Sequence, residues 1–141
     1  MTENAIAMEI VDAAFRIHTT LGPGLLESVY HAVLAYELGR RGLHAVSQQP
    51  IPVIYESVRI PMAFRADLVV EDKVIVEIKC VEVLGPVHKK QLLTYLRLAD
   101  KRLGLLINFQ VALIKDGITR VVNGLQDDDH AKAPGRKEPQ G

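Results

Sequence analysis

The sequence predicts an α/β fold, a central mixed β-sheet flanked by helices. Three observations carry that expectation. Apolar residues ahead of Arg41 recur at helical spacing. Two β-branched runs follow, Arg65 to Val70 and Val74 to Lys79, joined only by Glu71-Asp72-Lys73, as an antiparallel hairpin would be. A helical pattern then separates them from the apolar run Leu103 to Phe109, which reads as a buried strand. Helices before the strands and between the third and fourth strands have to cover the faces of a sheet to bury their apolar stripes.

The elements can be justified in order. Ile6, Ile10, Ala13, Ala14 and Ile17 form a stripe beside acidic Glu3, Glu9 and Asp12, which predicts an amphipathic helix and not a signal peptide or membrane span. After a turn at Leu21 to Gly24, a second helix from about Leu25 to Arg41 sends Leu26, Val29, Tyr30, Val33, Leu34 and Leu38 toward the core, and Gly42 can end it. A strand near Val46 to Tyr55 contains Pro50 and Pro52, which lack an N–H and therefore suit an edge. Gly85-Pro86 opens a third helix reaching about Ala99, since proline fits a first helical turn. Val111 to Val122 reads as a last strand pair around Asp116-Gly117. Residues 1–122 are expected to form a single domain, and the polar stretch 123–141, with Asp127-Asp128-Asp129, a disordered tail.

Composition narrows the function classes. A chain of 141 residues is long enough for one sizeable core. Its 17 basic and 17 acidic residues cancel, which excludes the strongly basic balance of an obvious polyanion binder and leaves only local patches. Arg40-Arg41, Lys89-Lys90, Lys101-Arg102 and Arg65 are the candidates. Cys80 is the single cysteine, so no intramolecular disulfide can form and a reducing cytoplasm is the expected setting. Its place on an apolar strand face makes it a core residue, not a nucleophile. The five histidines lack zinc spacing, no Gly-rich phosphate loop precedes a helix, and no Gly-x-Ser-x-Gly elbow occurs.

The hairpin carries the chemistry, because it holds Asp67, Glu77 and Lys79 inside apolar runs. By strict alternation Met62, Phe64, Ala66, Leu68 and Val70 share one face, and Val74, Val76, Ile78 and Cys80 share another. Directly opposite residues lie on the same side of an antiparallel pair, so making these faces coincide requires an even sum of paired numbers. Val70 opposite Val74 satisfies this, and so does Asp67 opposite Glu77. The three-residue loop lacks the usual glycine, and a wider loop or a bulge of the same parity satisfies the count equally. Two opposed carboxylates repel when ionised, a conflict that a hard divalent cation such as magnesium or manganese removes. Lys79, two residues past Glu77, reaches the same side and could orient a water and offset charge developing on phosphorus.

This arrangement resembles the PD-(D/E)xK nuclease superfamily, whose fold is a restriction-endonuclease-like core. Asp67 stands as the first acid and Glu77-Ile78-Lys79 as the second half of the motif, with Ala66 where the family often has proline. Gly24-Leu25-Leu26-Glu27-Ser28-Val29-Tyr30 is similar to the Gly-x-x-Glu-x-x-Tyr signature of a small prokaryotic family within it, over about residues 5 to 122, and Gln91 to Tyr95 fits the Gln-x-x-x-Tyr motif of its RecB-like branch.

The resemblance implies that Asp67, Glu77, the Ile78 carbonyl and Glu27 bind Mg2+ or Mn2+ and that Lys79 assists the water. It further implies that Gln91 and Tyr95, four apart on one helix face, position Lys79 or touch the nucleic-acid backbone. His88 on the same flank is a phosphate or proton-transfer candidate, and Arg65 and Lys89 are candidate phosphate contacts. A carboxylate at Glu27 is also favoured by the helix dipole regardless of function. The implied activity is metal-dependent phosphodiester hydrolysis of nucleic acid, DNA by family analogy. The alternatives are a non-catalytic module binding nucleic acid or protein on the same fold, and a subunit forming a homodimer through an exposed stripe on its N-terminal helix.

Overall fold

A computed structural model describes residues 1–125. Among them the elements run α1 (Glu3–Leu21), α2 (Glu27–Arg40), β1 (Ala45–Tyr55), β2 (Val58–Val70), β3 (Val74–Lys79), α3 (Pro86–Ala99), β4 (Leu103–Asn108), a 3-10 turn (Ile114–Gly117) and β5 (Ile118–Val122). Thr2 caps α1 by accepting a hydrogen bond from the Ala5 amide at 3.1 Å. Gly22, at φ 73, ends that helix by donating its N–H to the His18 carbonyl. Ile6, Ile10, Ala13, Ala14 and Ile17 are all buried in the chain's own core, so the stripe is not the exposed surface that the dimerisation reading required.

Helix α2 starts at Glu27, later than the apolar pattern suggested. Gly22 and Gly24 both hold positive φ, so Leu25 and Leu26 still belong to the turn and Leu26 is 73% exposed. Val29 is exposed as well, whereas Tyr30, Leu34 and Leu38 are buried as expected and Val33 packs at the margin of the core.

The strands form one mixed sheet in sequence order, with β3 and β4 parallel and the other neighbours antiparallel. Helix α3 makes the crossover that a parallel pair requires. It packs closely on β4 at Gly104, where a Cβ would collide with the Leu92 side chain. The hairpin register is the expected one, Val70 opposite Val74 and Leu68 opposite Val76. The turn manages without glycine because Glu71 and Asp72 both take positive φ, and three bonds brace it. The Glu71 carboxylate accepts from the His44 amide at 2.7 Å, Glu71 N–H donates to the His44 carbonyl, and Asp72 bonds Lys101 Nζ at 2.9 Å.

The strict alternation expected along β2 does not hold. Leu68 and Val70 pack with Val74, Val76 and Ile78 against α1 and α2, while Phe64 and Ala66 pack with Val69 and Ile75 against α3. Met62 is exposed. The change occurs at Asp67: the β1–β2 ladder runs from Ser47 opposite Leu68 to Gln49 opposite Ala66, leaving Gln48 and Asp67 out of the pairing, with Gln48 at φ 56. Strand β1 exchanges faces at the same step, Ala45 packing with the first core and Ile51 with the second. Both faces of the sheet are therefore buried at its centre.

Strand β1 lies at the edge, as Pro50 and Pro52 predicted. The expected last strand pair is a single strand, β5, because residues 114–117 close a 3-10 turn and Gly117 presses against the Asn108 carbonyl, where a Cβ has no room. Asn123 is anchored by its N–H to the Arg102 carbonyl at 2.8 Å, and Leu125 packs on the core, so the ordered chain continues past residue 122. The remainder of the expected tail lies outside the described residues. Among the described residues no helix is long and apolar enough to cross a membrane.

Candidate active site

At the end of the β2–β3 hairpin away from its turn, backbone pairing stops at Leu68 and Val76 and carboxylates continue it. Asp67 N–H donates to Glu77 Oε2 at 3.0 Å, and Ile78 N–H donates to Asp67 Oδ2 at 2.8 Å. Each acid thus closes on the other's strand and keeps its second oxygen outside these bonds. The register arithmetic that placed Asp67 beside Glu77 is met in the structure, with side chains replacing ladder bonds.

Glu77 is only 7% exposed. Its carboxyl is pushed up to about 7, first by burial and then by the Asp67 charge, with Glu27 adding to the rise. The Asp67 N–H and the Lys79 ammonium pull the other way without cancelling it. The pair carries more negative charge than its surroundings satisfy. Hard oxygen donors in that condition suit a divalent cation, which Asp67 and Glu77 could hold with the Ile78 carbonyl and Glu27. Among the described residues no three His, Cys, Asp or Glu side chains already converge as a chelating group, so the acids form a pair with Glu27 at longer range.

Lys79 is half-buried at the end of β3, on the side of the sheet that alternation gives to Ile75 and Glu77. Glu27 is exposed at the first position of α2 and close enough to raise both the Glu77 carboxyl and the Cys80 thiol, the latter mainly through burial. Cys80 packs partly against the core, as expected. Tyr95 comes from α3, its ring stacked on Phe64 at 3.7 Å between centroids. Burial, then the Glu77 and Asp67 charges, raise its hydroxyl's affinity for the proton.

Gln91 is exposed one turn before Tyr95. His88 Nδ1 accepts the Gly85 N–H at 3.1 Å, so one ring nitrogen is occupied in starting α3. Lys89 is exposed beside it. Arg65 is exposed with its Nε on Met62 Sδ at 3.2 Å, and the exchange of faces at Asp67 removes the parity argument that put the two on one side. Of the other basic pairs, Arg41 bonds Glu9, Asp12 and Glu37, and Lys101 bonds Asp72.

Three residues at the end of β4 border the site and escaped the sequence reading. Asn108 lies opposite Lys79 at the last step of the parallel ladder. The Phe109 ring stacks on Tyr30 at 4.5 Å, and Gln110 Oε1 accepts the Gly24 N–H at 3.1 Å. Tyr30 in turn donates its hydroxyl to the Gly22 carbonyl at 2.5 Å and accepts from the Leu25 N–H at 3.2 Å, so the Gly-x-x-Glu-x-x-Tyr segment is tied down around Glu27. The available signal was a polar Asn ending an otherwise apolar strand.

No curated protein matches the chain. Among solved structures it is similar to the crystal structure of SSO0001, with a TM-score of 0.53 and 19% identity. The likeness covers 93% of this chain and 62% of that one, and at this identity it speaks for the fold alone. A family model described as the PD-(D/E)XK nuclease superfamily matches residues 4–121, nearly all of the described chain. With the paired acids of β2 and β3, the lysine two residues on, and a mixed sheet between helices, the chain belongs to the PD-(D/E)XK nuclease superfamily.

Proposed function

We propose that this protein is a metal-dependent nuclease that hydrolyses phosphodiester bonds, with DNA as the substrate. The observation that carries the reading is the reciprocal bonding of Asp67 and Glu77, which holds two carboxylates together where their charges conflict. Asp67 and Glu77, with the Ile78 carbonyl and Glu27, would hold Mg2+ or Mn2+, which when bound supplies a Lewis acid for the phosphate and lowers the pKa of water.

The chain's own residues supply orientation and proton control. The Lys79 ammonium donates to the attacking water and offsets charge gathering on the phosphoryl oxygens. Tyr95, held protonated, presents a hydroxyl donor from α3, and Gln91 lies one turn away on the flank by which the backbone would approach. His88, Lys89 and Arg65 extend that flank as phosphate contacts. In hydrolysis the water oxygen bonds to phosphorus and releases a proton to solvent, the bond to the leaving sugar oxygen breaks, and that oxygen takes a proton from solvent.

The test is a panel of linear, circular, single-stranded, branched and RNA substrates, with and without manganese, beside a Lys79→Ala control. Divalent-dependent cleavage that the substitution removes supports the reading. Equal cleavage by both proteins overturns it.

A further inference from the structure

The Asn108 side chain is 2% exposed and makes three hydrogen bonds to backbone groups around it. Its Oδ1 accepts the Val81 N–H at 3.1 Å and the Gln110 N–H at 3.1 Å, and its Nδ2 donates to the Val81 carbonyl at 2.8 Å. One step earlier, Phe109 N–H donates to the Lys79 carbonyl at 3.0 Å. The backbone is thus held at Lys79 and again two residues beyond it, both times from the end of β4. Gly117, with no space for a Cβ against the Asn108 carbonyl, closes off movement of Asn108 from behind.

An amide is an expensive choice for this position if its only task is packing. A buried polar side chain is tolerated when its bonds are made, and an apolar residue there would leave the Val81 amide and carbonyl without these partners. These bonds do not extend the β3–β4 ladder, which ends at Lys79 and Asn108. They instead shape the exit from β3, where no strand pairing remains to hold the chain. A lysine side chain has many rotamers, so the direction in which its ammonium is delivered depends on how firmly its backbone is anchored.

We propose that Asn108 is a positioning residue for Lys79: by clamping Val81 it sets the backbone that aims the Lys79 ammonium at the paired acids. This rests on the nuclease reading for the role of Lys79, but the geometry is testable apart from activity. The full-length chain is reductively methylated with 13C-formaldehyde, and the Lys79 dimethyl resonance is assigned by its loss in Lys79→Arg. Its chemical shift and linewidth are then compared in the wild type, Asn108→Ala and Asn108→Ser. Asn108→Ser keeps a neutral polar side chain but is too short to span both Val81 groups, so it carries the test where Asn108→Ala does not fold.

The expected result is a displaced or broadened Lys79 resonance. It should be accompanied by a fall in kcat of about 10- to 100-fold, the range seen when outer-shell partners are removed, with manganese affinity and KM unchanged. A folded variant whose Lys79 resonance matches the wild type overturns the proposal, as does a loss of kcat matched by an equal loss of manganese affinity. A wild type that cleaves none of the substrates overturns the nuclease reading, while the resonance still decides the role of Asn108.

Discussion

The two ends of the β2–β3 hairpin use the same residue types to opposite effect. At the turn, Asp72 meets Lys101 Nζ at 2.9 Å, and Glu71 accepts from the His44 amide. The hydrogen bond and charge of Lys101 hold the Asp72 carboxyl below its usual range. At the other end Asp67 and Glu77 face each other, bonded only to backbone amides, and burial drives Glu77 the opposite way, to about 7. At the turn Asp72 is paired with a cation that folding brings next to it, and Glu71 keeps its carboxylate in solvent-exposed surroundings. Acids at the strand ends are buried without that neutralisation, at an expense in stability that a purely structural hairpin would have no reason to retain.

Substitutions at the two ends should separate them sharply. The largest effect belongs to Lys79→Ala, expected to reduce single-turnover cleavage by about 10²- to 10³-fold, the range for losing a donor to developing charge, with an unchanged circular-dichroism spectrum. Asp67→Asn keeps an oxygen for the Ile78 amide but loses the charge. Divalent-ion binding by calorimetry should weaken beyond the roughly 100-fold seen for outer-shell losses, and unchanged binding would move the metal elsewhere.

Glu77 gives a pH signature. The folded carboxyl, near 7, keeps its proton over a range in which the unfolded one, near 4.5, has released it. The folded state then binds more protons, so the stability this group contributes is greatest below pH 4.5, falls as pH rises through this window and levels off above about 7. The drop is on the order of 3 kcal/mol at most, read from urea midpoints at pH 5 and pH 8. Glu77→Gln should flatten the profile, and so should saturating manganese, which favours the ionised form. The smallest effect is expected for Asp72→Asn at the turn, with no measurable change in urea midpoint or ion affinity, because its partnership with Lys101 is largely solvated.

Much of this was legible in the sequence, and what was not has a physical reason. The parity rule found Asp67 opposite Glu77 because register is strongly specified wherever apolar faces must meet. The same rule failed along β2, where the ladder is interrupted at Asp67 beside a left-handed Gln48 in β1 that is not glycine, and no composition signal marks such a step. The unbroken apolar runs Leu68-Val69-Val70 and Val74-Ile75-Val76 carried the sign of a sheet covered on both faces, which alternation obscured. Leu26 reads as a core residue by type, yet the positive φ of Gly24 delays the helix and leaves it in water. Asn108 showed only as a polar end to an apolar strand, because its partners, Val81 and Gly117, are brought to it by the parallel crossover and the 3-10 turn.

The proline-bearing edge has a consequence for the behaviour of many copies at once. Pro50 and Pro52 remove donors from the outer rim of β1, and β5 at the opposite rim spans only Ile118–Val122. A neighbouring chain seeking to continue the sheet therefore finds an interrupted template on one side and a brief one on the other. Fibril-like stacking is discouraged at both rims by the backbone itself.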